Sequence, residues 1–73
     1  MKPVLVCVNW RDIIASADWT KAEELNPPVF ETWGWLVYKD KDTVKVASTR
    51  DEKGSWFGVH AFPRGCIIGI EKL

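Results

Sequence analysis

The sequence predicts a mainly β fold, a small five-stranded barrel with one short helix between the first and second strands. Three features predict it. Residues 4–10 alternate with a period of two, the apolar and aromatic stretch 29–47 is interrupted by a charged run at 39–42, and polar or Gly- and Pro-containing turns separate the remaining apolar runs. A chain of 73 residues has room for one core, so we expect a single domain over residues 1–73. Closing the sheet would remove the exposed strand edges of so small a protein.

The N-terminal part of the chain predicts the first strand and the helix. Alternation over residues 3–10 places three valines and Trp10 on one face of a strand. Thr20 and Glu23 then have the spacing of a capping box, which predicts a short helix over 21–25 that ends at the following Asn-Pro-Pro. A helix of one or two turns cannot stand alone, so we expect three apolar side chains to pack it against the barrel: Trp19, Ala22 and Leu25.

The stretch 29–47 predicts a β-hairpin at the centre of the fold. Residues 29–39 are apolar on both faces, as in a strand that is buried on both sides or sharply bent. Gly34 lies between two tryptophans, where a bend or a close backbone contact is expected. After the charged turn, Val44 and Val46 mark the dry face of a third strand, and Thr43, Lys45 and Ala47 mark its wet face.

The C-terminal part predicts two more strands. A polar loop at 50–54 leads into a strand over 55–62. Pro63-Arg64-Gly65 predicts a tight turn or a single 3₁₀ turn because proline cannot continue the ladder. The last strand covers 66–73, and we expect three isoleucines to supply core: Ile67, Ile68 and Ile70.

Composition limits the classes of function. Ten basic and ten acidic residues give a net charge of zero, which does not favour nucleic acid or an anionic membrane. No stretch approaches the roughly 20 apolar residues of a membrane span, and the N-terminus resembles a strand more than a signal peptide, so we expect an intracellular protein. Cys7 and Cys66 are expected to be ordinary half-buried thiols that would lie close together if the first and last strands pair.

No combination of residues predicts catalysis. His60 is the only histidine, and no cysteine or carboxylate lies near it at the spacing of a metal site or a base–orienter pair. Asp12 and Ser16 have simpler roles as a turn residue and a helix-capping residue. Because no Gly-rich phosphate loop is present either, we expect no enzymatic activity, no catalytic or metal-binding residues and no cofactor.

The aromatic residues predict a partner surface. So many rings cannot all fit inside a 73-residue barrel together with its valines and isoleucines, so some should be exposed or covered by a partner. The alternative is a thick core with one ring lying over the barrel. The candidate partner-binding residues are Trp33, Trp35, Tyr38, Trp56 and Phe57.

Two short motifs resemble those of Sm proteins, which are barrels of the Src-homology-3 type. GWLVYKD at 34–40 resembles the first Sm motif, and Pro63-Arg64-Gly65 followed by isoleucines resembles the second. Val44 stands where the Sm motif has an Asn that contacts RNA bases, and the helix here follows the first strand instead of preceding the strands. The resemblance implies binding of RNA or single-stranded nucleic acid, with the candidate residues Lys39, Lys41, Lys45 and Arg64.

A second resemblance covers nearly the whole chain. The succession of VxVxWxD at 6–12, GWLV at 34–37, VxVA at 44–47 and PRGCI at 63–67 resembles small uncharacterised proteins of phages and prophages. It implies a non-enzymatic accessory protein in the cytoplasm of a bacterial host. The leading hypothesis is a protein-interaction module or self-associating barrel. A nucleic-acid binder is the alternative, and a counter-defence factor that inhibits a host protein or sequesters a small nucleotide is a further one.

Overall fold

A computed structural model describes residues 3–13 and 15–73, which form one antiparallel sheet of five strands. The strands lie in the order β4-β3-β2-β1-β5. Two short 3₁₀ helices, Ala22–Glu24 and Arg64–Cys66, lie between β1 and β2 and between β4 and β5. The strands are β1 (Val4–Arg11), β2 (Val29–Lys39), β3 (Thr43–Arg50), β4 (Trp56–Pro63) and β5 (Ile67–Lys72).

The predicted mainly β class and its five strands are confirmed. The turn expected at 63–65 is also present, as the 3₁₀ alternative and one residue further along, and β2 has the predicted bounds. Strands β4 and β5 form the two edges of the sheet, and no ladder joins them within the described residues. Closure into a barrel therefore stays a prediction. In the part of the chain that the structure describes, no helix is long and apolar enough to span a lipid bilayer.

The hydrophobic core lies on one face of this curved sheet. Its buried side chains come from β1, β3 and β4: Val6, Val8, Val44, Val46 and Phe62. Trp10 packs at the margin of this cluster and donates its indole N–H to the Thr32 hydroxyl over 2.9 Å. The expectation for Ile68 is wrong. The β1–β5 register shifts between Asn9 and Trp10, which leaves Ile68 without a direct partner, and its side chain is exposed.

Gly34 makes the close backbone contact that its position predicts. A Cβ atom at Gly34 would lie 2.5 Å from the carbonyl oxygen of Ala47 and 2.7 Å from Cγ1 of Val46. These distances are far below van der Waals contact, so only glycine lets β2 approach β3 here.

The segment between β1 and β2 differs from its prediction. The capping box is absent: Lys21 occupies the N-cap position without a side-chain cap, and the Thr20 hydroxyl is hydrogen-bonded to that of Ser16 instead. The helix is a single 3₁₀ turn, not 21–25. Its predicted anchors Trp19, Ala22 and Leu25 are all exposed. Local spacing favours a cap, but Trp19 is fully exposed and does not pack a longer helix against the sheet.

Candidate partner-binding surface

The sheet face opposite the core carries a row of directly paired residues. Leu5 on β1 is opposite Trp35 on β2, Trp35 is opposite Ala47 on β3, and Ala47 is opposite Val59 on β4. Residues that are directly opposite in an antiparallel pair have their side chains on the same face. The row therefore crosses four strands on one side of the sheet.

Two flanking pairs extend this row. Trp33 is opposite Cys7, and Phe57 is opposite Thr49. We call the set Leu5, Trp33, Trp35, Phe57 and Val59 the outer face. Trp33 is 58% exposed and Phe57 is 76% exposed, and Leu5 and Val59 are also exposed.

Two small residues lie within the outer face and are buried. Cys7 is 3% exposed and Ala47 has no exposed surface. Ala47 was predicted on the wet face of β3, and that expectation is wrong. Ala47 lies on the outer face, but the larger side chains of its two neighbours, Trp35 and Val59, screen it from water.

Trp35 and Trp56 form a pair and are less available than the other rings. Their ring centroids are 5.6 Å apart with an interplanar angle of 42°, and both residues are half-buried. The Arg50 guanidinium lies 5.3 Å from the centroid of the Trp56 ring, within cation–π range.

Tyr38 is the next-to-last residue of β2 and is directly opposite Lys45 on β3. Its hydroxyl donates to Oδ2 of Asp40 over 2.6 Å, and the ammonium of Lys45 lies 4.8 Å from its ring centroid. Of the five predicted partner residues, Trp33 and Phe57 are exposed, Trp35 and Trp56 pack against each other, and Tyr38 lines a groove with Trp56. Leu5 and Val59 are not among the predicted partner residues, although the alternation in β1 already separates Leu5 from the core valines.

Carboxylates border the outer face near Cys7. Glu31 accepts a hydrogen bond from the Trp33 indole N–H over 3.3 Å, and Glu71 is directly opposite Cys7. Burial, followed by the negative charges of Glu31 and Glu71, raises the pKa of the Cys7 thiol. This surface is therefore apolar with an acidic border.

The four candidate nucleic-acid residues gather at the turn between β2 and β3. Lys39 and Lys41 are exposed there, and Lys45 lies over Tyr38. Arg64 reaches the same turn from the second 3₁₀ helix, where its Nε donates to the Asp40 carbonyl over 2.9 Å and its backbone N–H to the Asp42 carbonyl over 2.8 Å. Asp40 and Asp42 alternate with these cations, so the cluster is mixed in charge.

The remaining polar residues do not assemble into a site. His60 is exposed on β4 and stacks on Phe62 with ring centroids 6.1 Å apart. It lines a shallow pocket with Asp12 and Cys66, but Ser16 bonds to Thr20 and is not part of that pocket. No group of three His, Cys, Asp or Glu suited to a metal ion occurs among residues 3–13 and 15–73.

Both thiols are free, and they lie apart along the β1–β5 ladder. Strands β1 and β5 do pair, and Cys7 is opposite Glu71. Cys66 directly precedes Ile67, which is opposite Trp10, so the two cysteines lie at different positions along the ladder.

Fold and surface together define a small, mainly β protein with an exposed aromatic face. No protein-family model, curated protein or solved structure matches the chain.

Proposed function

We propose that the protein is a non-enzymatic protein-interaction module that anchors a partner through its outer face. The exposure of Trp33 and Phe57 on the same side of the sheet as the row Leu5–Trp35–Ala47–Val59 is the observation that carries this proposal. Large aromatic side chains are the residues that most often supply binding energy at protein interfaces. A soluble domain gains nothing from holding them in water, so a surface of this kind is typical of an interface.

The size of the surface supports the same function. Burial of an aromatic side chain removes about 150–250 Å² from water. With Leu5 and Val59 added, the outer face is of the order of the largest apolar patch on a typical monomer, about 300–600 Å², and such a patch is often functional. Because Glu31 and Glu71 border it, the complementary partner has an apolar centre and basic groups at its rim.

Pull-down from a bacterial host lysate tests this function. The tagged chain is compared with the double variant Trp33→Ser/Phe57→Ser and with Ile13→Ser, which removes an exposed apolar side chain outside the outer face. We expect the wild type and Ile13→Ser to retain the same protein, and the double variant to bind that purified protein at least tenfold more weakly. Equal binding by all three chains would remove the proposal. Circular dichroism shows whether each variant is folded.

The fold type and cellular setting are further parts of the proposal. The order β4-β3-β2-β1-β5 supports a barrel of the Src-homology-3 type, because the edge strands β4 and β5 are joined by only one short 3₁₀ helix. A phage or prophage origin and a cytoplasmic location rest on the sequence resemblance and stay predictions.

Binding of single-stranded nucleic acid is the second candidate function. The cluster of Lys39, Lys41, Lys45 and Arg64 beside the Tyr38 ring is the observation that favours it. Binding to short RNA at low salt that weakens as salt rises, and that is lost in Lys39→Ala/Lys41→Ala, would support it. Analysis of small molecules retained on the tagged chain tests the further candidate, a counter-defence factor that sequesters a nucleotide.

A further inference from the structure

Residues 15–28, which we call the arm, leave the sheet between β1 and β2, and every residue of the arm is exposed. Trp19 is the extreme case, because its whole side chain is in water. The side-chain hydrogen bonds of the arm are local, such as Ser16 to Thr20 and Asn26 to the Glu23 carbonyl. Among the described residues, the Arg11 guanidinium ties its end to the body through the Pro27 carbonyl over 3.2 Å.

The arm does not bury Trp19, whereas Leu25 is 37% exposed. One 3₁₀ turn is far too short to be stable by itself, and the molecule extends 51 Å along one axis against 20 Å along the others. An exposed tryptophan on such a segment gains most from a contact on another molecule.

An apolar groove of about 520 Å³ lies on the body of the protein. This volume is in the range of sites that hold small organic ligands and is ample for an indole ring. The side chains that line it include Val4, Leu36, Val37, Tyr38, Lys39 and Trp56.

Groove and arm lie at opposite ends of the β1–β2 ladder. Val4 pairs with Leu36 at the groove, and Arg11 pairs with Val29 at the base of the arm. Seven steps of roughly 3.3 Å separate the two ends by about 23 Å. In this structure Trp19 is fully exposed and is not among the residues that line the groove, so the arm leaves its own groove open.

Charge also favours this pairing. The arm has three acidic residues and one basic residue, so it carries −2, and the rest of the chain carries +2 from nine basic and seven acidic residues. Asp18 precedes Trp19 directly, and Lys39 lines the groove. A total charge of zero leaves no net repulsion between copies.

We propose that two copies exchange arms, so that Trp19 of each copy occupies the groove of the other with Asp18 facing Lys39. Such a dimer is isologous and closed, with two identical contacts. The proposal goes beyond the interaction function above, since it uses Trp19 and the groove, which meets the outer face only where Trp56 packs against Trp35.

Sedimentation equilibrium and native mass spectrometry over a range of concentrations test the dimer. We expect the wild type to dimerise and Trp19→Ala to raise the dissociation constant by about 30-fold for each Trp19 removed. Ile13→Ala is the matched control, because it shortens an exposed apolar side chain outside the arm and should leave dimerisation unchanged. A wild type that stays monomeric at millimolar concentration, or a dimer unaffected by Trp19→Ala, overturns the proposal.

Two mixing experiments test reciprocity and partner charge. Val37→Asp blocks the groove but keeps Trp19, so an equal mixture with Trp19→Ala should form a heterodimer through one intact contact although neither variant dimerises alone. Asp18→Lys and Lys39→Asp should each weaken the dimer, and the chain with both changes should regain most of the loss. A mixture that stays monomeric, or charge effects that simply add, contradicts arm exchange.

The outer-face double variant Trp33→Ser/Phe57→Ser separates this proposal from the proposed function. It should dimerise like the wild type even if it binds no partner. Loss of the dimer in this variant, with Trp19→Ala unaffected, would transfer self-association to the outer face and reject arm exchange.

Discussion

The Nε atom of Arg64 donates a 2.9 Å hydrogen bond to the backbone carbonyl of Asp40. This bond, with the one from the Arg64 backbone N–H to the Asp42 carbonyl, joins the turn between β4 and β5 to the turn between β2 and β3. The turn between β2 and β3 therefore fixes the position at which the chain passes from β4 into β5. The link also keeps Arg64 beside Asp40, which already accepts hydrogen bonds from Tyr38 and from two backbone N–H groups.

Arg64→Ala should lower stability by about 1 kcal/mol, because it removes the side-chain bond between the two turns. For a domain of this size we expect the melting temperature to fall by about 4–8 °C. Lys41→Ala is the control, since it removes an exposed cation from the same turn and should shift the melting temperature much less. Equal shifts in the two variants would show that the bond contributes nothing of its own.

Asp40 should make the fold sensitive to acid. The hydrogen bond from Tyr38, then those from the N–H groups of Asp42 and Thr43, lower the pKa of Asp40 below its ordinary value of 3.8. Because the folded state lowers this pKa, the stabilising contribution is present above pH 3.8 and is lost as the pH falls through the folded value.

Urea unfolding of the wild type and of Asp40→Asn between pH 7 and pH 2 measures this contribution. The variant should be less stable at neutral pH, and the two midpoints should converge below pH 3.8. Asp42→Asn serves as the control. A difference between the urea midpoints of the wild type and Asp40→Asn that stays constant down to pH 2 would contradict the prediction.

The same hydrogen bond should also affect the titration of Tyr38 at alkaline pH. Donation to Asp40, then the charge of that carboxylate, raises the pKa of Tyr38 above its ordinary value of 10.0. The associated stability is present below pH 10 and is lost as the pH rises through the folded value. Tyr38 is the only tyrosine, so ultraviolet titration reports it directly. Asp40→Asn should move the titration back toward 10, and an unchanged midpoint would exclude the bond.

Gly34→Ala should destabilise the protein by about 1–3 kcal/mol or more, because the added Cβ would meet the Ala47 carbonyl and the Val46 side chain. Gly69→Ala is a matched change in β5, where a Cβ would have no neighbour within 4 Å. We expect it to be neutral or slightly stabilising, since alanine restricts the unfolded chain. Denaturant midpoints that fall equally in both variants would argue against the close approach of β2 to β3.

The two thiols should differ in reactivity. Cys7 is buried with a raised pKa, whereas Cys66 is half-buried on the second 3₁₀ helix. In the folded protein, Cys66 should react with a thiol reagent at least tenfold faster than Cys7. The single variants Cys7→Ser and Cys66→Ser assign the two phases, and urea should abolish the difference. A faster phase that is lost in Cys7→Ser would contradict the burial of Cys7.

Local patterns predicted much of the sheet. The bounds of β2, the close contact at Gly34 and the turn at Pro63 follow from residues next to one another in sequence, because strand alternation, glycine and proline act on the local backbone. The capping box at Thr20 and Glu23 is local too, but it failed. A cap stabilises a helix only slightly, and a short helix also needs side chains that pack against the rest of the protein. Trp19, the largest of the expected anchors, is fully exposed.

The outer face depended on register, which no local pattern specifies. Trp33 and Phe57 are predicted as partner residues, but only the pairing of the strands places them on one side of the sheet with Leu5 and Val59. Likewise, the shift in the β1–β5 ladder exposes Ile68, although its apolar side chain predicts a place in the core.

By itself, then, the sequence determined a mainly β chain of five strands, the central hairpin and an excess of aromatic residues. Only the tertiary structure decided which rings share a face, that β4 and β5 are the sheet edges, and that the arm with Trp19 lies away from the body. The reason is physical: period and turn chemistry are properties of neighbouring residues, whereas burial depends on pairing between strands that are far apart in the chain.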